Sequence, residues 1–164
     1  ELQRQAYTKI TAARFAVEGT QTYPDATFTL RLAFGTVKGY VENGQPVPPW
    51  TTLGGAFEHE KRHGAKPPWK LPARWHAAKS RLKLDTPFNF VSTADIIGGN
   101  SGSPVINRDG ELVGVIFDGN IYSLTLRYAY SDKLARAVSV NISALLETLP
   151  KVYDAADLAA ELGR

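Results

Sequence analysis

The sequence predicts an all-β domain, a β-barrel entered from a leading helix and closed by C-terminal helices. Three observations predict it: many short apolar segments, Gly-rich turns between them, and a final helical stretch behind an Asn or Ser cap. The 164 residues suffice to bury one core. A hydrophobic content of 43% with 21% charged residues suits a folded globular chain rather than a disordered one.

Residues 2 to 17 place Leu2, Ala6, Ala13 and Val17 at near-helical spacing, the end of a helix leading in from upstream. Tyr23-Pro24-Asp25 is turn chemistry, and Thr27 to Phe34 alternates polar and apolar as a half-buried strand should. Thr36 to Val41 continues as a further or bent strand after Gly35. Asn43 to Pro72 shifts to Gly, Pro and charge, the composition of a long surface loop. A short helix then carries Pro72 in its first turn and Trp75, Ala78 and Leu82 on one face. Phe88 to Ser92, Pro104 to Asn107 and Glu111 to Phe117 read as strands, the last two joined by a hairpin turn ending Asp109-Gly110. Tyr128 to Tyr130 and Ala135 to Val140 read as short strands. Asn141 or Ser143 caps a helix through Leu149, and Tyr153 to Leu162 supplies another. The domain division is therefore 1–20 as the end of an upstream helical region, 21–141 as the barrel and 142–164 as C-terminal helices.

Bulk chemistry narrows the function classes. The formal charge of +3 is scattered, and the densest basic stretch, Lys61 to Arg81, is broken by prolines, which argues against nucleic acid as a partner. No apolar run approaches the ~18 residues of a membrane span. The absence of cysteine removes thiol nucleophiles, Cys-based zinc sites and disulfides together. The N-terminus has neither an initiator Met nor the apolar run of a secretory signal, so the chain reads as a piece of a longer polypeptide. No cofactor is expected.

The segment Gly98-Gly99-Asn100-Ser101-Gly102-Ser103-Pro104-Val105 carries the chemistry. A serine hydroxyl attacks well only when the backbone presents it sharply and leaves room for an oxyanion. Glycines on both sides of Ser101 allow such a turn and let the N–H groups of Gly99 and Ser101 face one small space, the expected oxyanion hole. The plain alternative is a loop between two strands.

This segment resembles the Gly-Asp-Ser-Gly-Gly-Pro motif of chymotrypsin-like proteases, and Leu112 to Gly119 looks like the strand that walls the S1 pocket and pairs with the substrate backbone. The resemblance implies the C-terminal six-stranded barrel of a double-barrel enzyme. Asn100 replaces the Asp that receives a new N-terminus in animal members, which argues against activation of that kind. Asp118 is open to two roles: an anchor for a substrate's free α-ammonium, or a turn residue before Gly119-Asn120.

Thr27 to Tyr40, Val91 to Val105, Phe117 to Asn120, Lys70 to Trp75 and the closing helix together resemble the bacterial serine dipeptidyl peptidases of the dipeptidyl peptidase seven and eleven family. That resemblance implies release of dipeptides from free peptide N-termini, with Ser101 as nucleophile and Asp118 on the substrate amine. It implies a broad or hydrophobic P1 preference, because Gly119 stands where Arg suits acidic P1 side chains. It further implies a missing N-terminal barrel and helical domain as partners, a homodimer of the full-length enzyme, and a periplasmic or cell-surface location in Gram-negative bacteria. The triad His and Asp would come from the absent half, leaving this chain inactive alone. The rivals are a chymotrypsin-like endopeptidase and a non-catalytic peptide-binding barrel.

Several residues offer competing readings. His59, His63 and His76 lie in the expected loop or short helix, where solvated histidines compete with a triad base. His59-Glu60-Lys61-Arg62-His63 matches the His-Glu-x-x-His zinc signature, yet no long amphipathic helix is expected to frame it. Asp95 either recruits a basic P1 side chain or bonds the backbone of the Gly98-Gly99 loop. Phe117 either faces the S1 or S2 subsite or belongs to the core.

Overall fold

The computed structural model describes residues 2–19 and 30–163. Contacts divide the chain into two compact units, one ending at Leu32 and one beginning at Ala33. In the first, helix α1 (Leu2–Glu18) covers the helix expected from the apolar spacing.

The second unit is built on an open five-stranded antiparallel sheet of β3 (Trp50–Thr52), β4 (Pro87–Ser92), β7 (Ala137–Asn141), β6 (Leu112–Gly119) and β5 (Pro104–Ile106), in that spatial order. A separate hairpin joins β1 (Tyr40–Glu42) to β2 (Gln45–Val47) through Asn43 and Gly44, both at positive φ. The all-β expectation is corrected: helices α2 (Leu53–Arg62), α3 (Ala73–Ala78), α4 (Ile142–Val152) and α5 (Ala156–Leu162) accompany the sheet. Among the described residues the sheet does not close into a barrel.

The expected turn at Tyr23-Pro24-Asp25 and residues 27–29 of the expected strand lie outside the described residues. Residues 30–34 form no strand, and their alternating Leu30, Leu32 and Phe34 stay exposed. Alternation gives a strand only where another surface covers the apolar side. The segment joins the sheet just beyond, where Val37 bridges Ser92 and Thr36 exchanges bonds with Thr93. Gly35 permits that approach, since a Cβ there would lie 2.3 Å from Ala94 N.

The largest correction falls on Asn43 to Pro72, which is not a long loop. It holds β2, β3 and α2, the helix capped by the Thr52 side chain accepting from Gly55 N at 3.1 Å. Leu53, Phe57 and Glu60 lie on the buried face of α2 at helical spacing. Leu53 and Phe57 pack with Trp75, Ala78, Leu82, Ala144 and Val152, and Phe88 of β4 lies against them. The main buried cluster thus lies among α2, α3 and α4 beside the sheet rather than inside a barrel.

Strands expected at Phe88 to Ser92, Pro104 to Asn107, Glu111 to Phe117 and Ala135 to Val140 are found with small shifts. Tyr128 to Tyr130 is not a strand; it follows a 3-10 helix over Ile121–Arg127. Asn141 caps α4 by accepting from Ser143 N at 2.9 Å.

Arg136, at 1% exposure, organises the loop between β6 and β7. Its guanidinium donates to the carbonyls of Lys38, Gly39, Asp132 and Ala135 at 2.7–2.8 Å and stacks over Tyr40. Its backbone N–H donates to Asn120 Oδ1 at 2.9 Å, and Asn120 N returns a bond to Arg136 O at 3.0 Å. A buried cation held by carbonyl dipoles fixes four backbone positions at once.

Candidate active site

The turn from Ile97 to Pro104 is folded by its own short side chains. Asn100 Oδ1 accepts from Ile97 N at 2.8 Å, and Ser103 N donates to Asn100 O at 3.0 Å. Gly99 and Gly102 stand at φ +103° and +88°, a region that strains any L side chain. The turn is then fastened to β6: Gly102 N donates to Ile116 O at 2.7 Å, and Ile116 N to Ser103 O at 3.1 Å. Asn100 is thus committed within its own turn.

Ser101 projects from this turn and its Oγ donates to Phe117 O at 3.1 Å. Among the described residues no acceptor meets the backbone N–H of Gly99 or of Ser101. An oxyanion hole needs such free donors; of the two residues, Ser101 lines the neighbouring cleft and Gly99 does not.

The other wall is shaped by a bulge. β6 pairs with β7 through Ile116–Ser139 and resumes at Asp118–Val138, so Phe117 is an extra residue. In a regular strand Asp118 would share the buried face of Ile116. With the bulge, Phe117 and Asp118 are both exposed. Phe117, expected at the S1 or S2 subsite or in the core, is 46% exposed and so is not core; its side chain is not among those lining the cleft, and its carbonyl holds Ser101. Asp118 Oδ1 accepts from Gly119 N at 2.8 Å, leaving the second carboxylate oxygen open.

Ser101, Asp118 and Gly119 share a cleft of about 190 Å³ with Ile96, Ile97, Leu124 and Arg127. A Cβ on Gly119 would lie 2.2 Å from Ser123 Oγ and 2.9 Å from Ile96 Cδ1. The outer wall of this cleft escaped the sequence reading. It is the Ile121–Arg127 3-10 helix, which follows Asn120 and is tied by Ser123 Oγ to Asn120 O at 2.7 Å and by Tyr122 OH to Glu42 Oε1 at 2.9 Å. The bond to Glu42, with burial and the negative charge of that carboxylate, raises the Tyr122 phenol above its ordinary pKa. Only the Asn-initiated start of this helix had a sequence signal.

The remaining candidates fall elsewhere. Asp95 is half-buried and does not line the cleft. The His-Glu-x-x-His segment is helical, contrary to expectation, but its residues face other tasks. Buried Glu60 accepts from Leu71 N at 2.8 Å and meets His76 Nε2 at 3.1 Å. His59 and His63 lie ring to ring at 4.3 Å with Trp69 against both, and His63 Nδ1 meets His59 O at 2.8 Å. Among the described residues no group of three or more His, Cys, Asp or Glu is placed to hold a metal ion. No histidine contacts Ser101 among the described residues.

Three comparisons bear on this geometry. The family model described as peptidase S46 matches residues 1–164. The chain is 40% identical over 148 residues to a dipeptidyl-peptidase 7 of Phocaeicola vulgatus, covering 85% of this chain and 20% of the relative. It is 33% identical to an Asp/Glu-specific dipeptidyl-peptidase of Shewanella putrefaciens, covering 85% of this chain and 23% of that protein. Among solved structures it resembles Porphyromonas endodontalis DPP11 in complex with the dipeptide Arg-Asp, with a TM-score of 0.78 and 28% identity over 92% of this chain and 23% of that one. The chain therefore spans about a fifth of the length of the curated relatives it matches.

Proposed function

Because this chain belongs to the peptidase S46 family, we propose that it is the nucleophile-bearing part of a serine dipeptidyl peptidase. The observation that carries the reading is the single cleft holding Ser101 and Asp118, with Ser101 fastened to β6 by its turn and Asp118 turned outward by the bulge.

The chemistry follows from those positions. Asp118 pairs with the α-ammonium of the substrate, which sets the second peptide bond against Ser101. A histidine from the remainder of the polypeptide takes the Ser101 proton as Oγ bonds to the carbonyl carbon. The negative charge on the carbonyl oxygen is met by the N–H groups of Gly99 and Ser101; one such donor is worth roughly 3–4 kcal/mol. Collapse of the intermediate breaks the C–N bond, the histidine protonates the departing amine, and the dipeptide stays on Oγ as an ester. Water then attacks the ester carbonyl, giving a proton to the histidine, which passes it to Oγ as the C–Oγ bond breaks and the dipeptide leaves.

Gly119 carries no side chain into the cleft, and Ile96, Ile97 and Leu124 line it, which supports a broad P1 preference that includes apolar side chains. By the same reading the open sheet is completed as a chymotrypsin-like barrel in the full-length protein, and this chain alone is inactive for want of its base. A fluorogenic dipeptide substrate, free and N-acetylated, tests the proposal on the full-length protein. Cleavage of the free form alone, with a dipeptidyl phosphonate labelling Ser101 and sparing Ser101→Ala, is expected. Equal cleavage of both forms refutes it in favour of an endopeptidase, and absent labelling favours a binding barrel.

A further inference from the structure

Arg127 is a cation on the wall of a substrate cleft. It ends the 3-10 helix, is exposed, and lines the same space as Ser101, Asp118 and Gly119. No ion pair joins it to a carboxylate among the described residues, Asp118 across the same cleft included. Of the residues that share the cleft, Ile96, Ile97 and Leu124 offer no acceptor side chain, while Asn100 Oδ1 is taken by Ile97 N and Ser123 Oγ donates to Asn120 O.

Its backbone is fixed. Tyr122 anchors the helix to β1, Leu126 is buried, and Tyr128 N and Ala129 N both donate to Thr125 O just beyond. The helix thus holds Arg127 where it is without committing its five donors.

We propose that Arg127 is a specificity-determining residue that extends the P1 pocket to acidic side chains. The inference rests on the dipeptidyl peptidase reading above. Asp118 takes the α-ammonium and Arg127 a P1 carboxylate within the one cleft, while the isoleucines and Leu124 serve apolar P1 residues. A guanidinium pairs two-pronged with a planar carboxylate, a geometry that an ammonium does not reproduce.

The test uses the full-length protein and fluorogenic dipeptides that share one P2 residue and carry Leu, Gln or Glu at P1. In Arg127→Leu the ratio of kcat/KM for Glu over Leu is expected to fall about 10- to 100-fold, the scale of a charge-assisted hydrogen bond. Arg127→Lys should retain part of that ratio, and Arg127→Glu should bring Lys at P1 into use. An unchanged ratio in Arg127→Leu overturns the inference, as does an equal loss for Gln and Glu. A loss that instead follows the free C-terminal carboxylate of tripeptide substrates also overturns it, placing Arg127 on the leaving-group side. If the wild-type protein cleaves Leu at P1 but Arg127 does not matter, only this inference fails. If it cleaves none of the three, the dipeptidyl peptidase reading fails and takes this one with it.

Discussion

Replacing Asp118 by Asn separates charge from shape at the amine end of the cleft. Oδ1 of the carboxylate holds Gly119 N at 2.8 Å, and the remaining oxygen is the one proposed for the substrate ammonium. Asn keeps an acceptor for Gly119 and turns an amide N–H₂ toward the ammonium in place of a charge. A hydrogen bond between charged groups contributes about 1.5–3 kcal/mol once a bound substrate excludes water. Exposure of Asp118 in the free protein favours the lower half of that range. Asp118→Asn should therefore lower kcat/KM for a free-amine dipeptide about 10- to 40-fold, mostly through KM, with Tm unchanged. Asp118→Ala should match that loss and also lower Tm slightly, because Gly119 N loses its partner. The wild-type kcat/KM should fall above pH ~8 as the substrate's α-ammonium deprotonates, and that limb should disappear in Asp118→Asn. Steady-state kinetics on the full-length protein at several pH values is the assay. An unaltered KM in Asp118→Asn refutes the amine role and leaves Asp118 as a turn residue.

Three further outcomes are expected. Gly119→Ala should weaken cleavage and cost about 1–3 kcal/mol of stability through overpacking, since its Cβ would lie 2.2 Å from Ser123 Oγ; Ser123→Gly should partly restore both kinetics and Tm. Arg136→Met should lower the urea midpoint of the full-length protein by the equivalent of about 3 kcal/mol or more, because it leaves buried carbonyls unpaired; a shift under a third of that contradicts the staple. Burial pushes the Glu147 carboxyl up, but bonds from Lys151 and from Lys83 N, with both positive charges, outweigh it and hold it below the ordinary range. A lowered native pKa gives stability that is complete above the unfolded value of ~4.3 and lost as pH falls through the native one. Glu147→Gln should therefore destabilise at pH 7 and converge with wild type in acid, as urea titrations at stepped pH would register.

What the sequence disclosed was local chemistry. Glycines around Ser101, Asn107 to Gly110 and the cap at Asn141 announce turns because positive φ and short polar side chains leave few alternatives. Trp75, Ala78 and Leu82 were legible as one buried face. Helix α2 was obscured by Gly54-Gly55 and by the prolines on either side of it, although Leu53, Phe57 and Glu60 already carried the spacing. Tertiary burial outweighed low propensity there. The bulge at Phe117 has no residue signature, since it arises from how β6 registers on β7. Arg127 and Arg136 were equally silent: one is a cleft residue and the other a buried staple, and only the path of the chain distinguishes them.

That bulge sets the parity of β6. Up to Ile116 the even positions Gly114 and Ile116 are buried; beyond the inserted Phe117, Asp118 falls on the outer face while Gly119, opposite Ala137, returns to the face of Ser139. The first atoms a Gly119 side chain would meet belong to Ser123 and Ile96, both cleft residues and neither in the main buried cluster. Accommodating a new residue at 119 is therefore a negotiation with the Ile121–Arg127 helix and with Ile96. A single extra residue thus lets near neighbours on one strand part company, Ile116 buried and Asp118 exposed at the cleft.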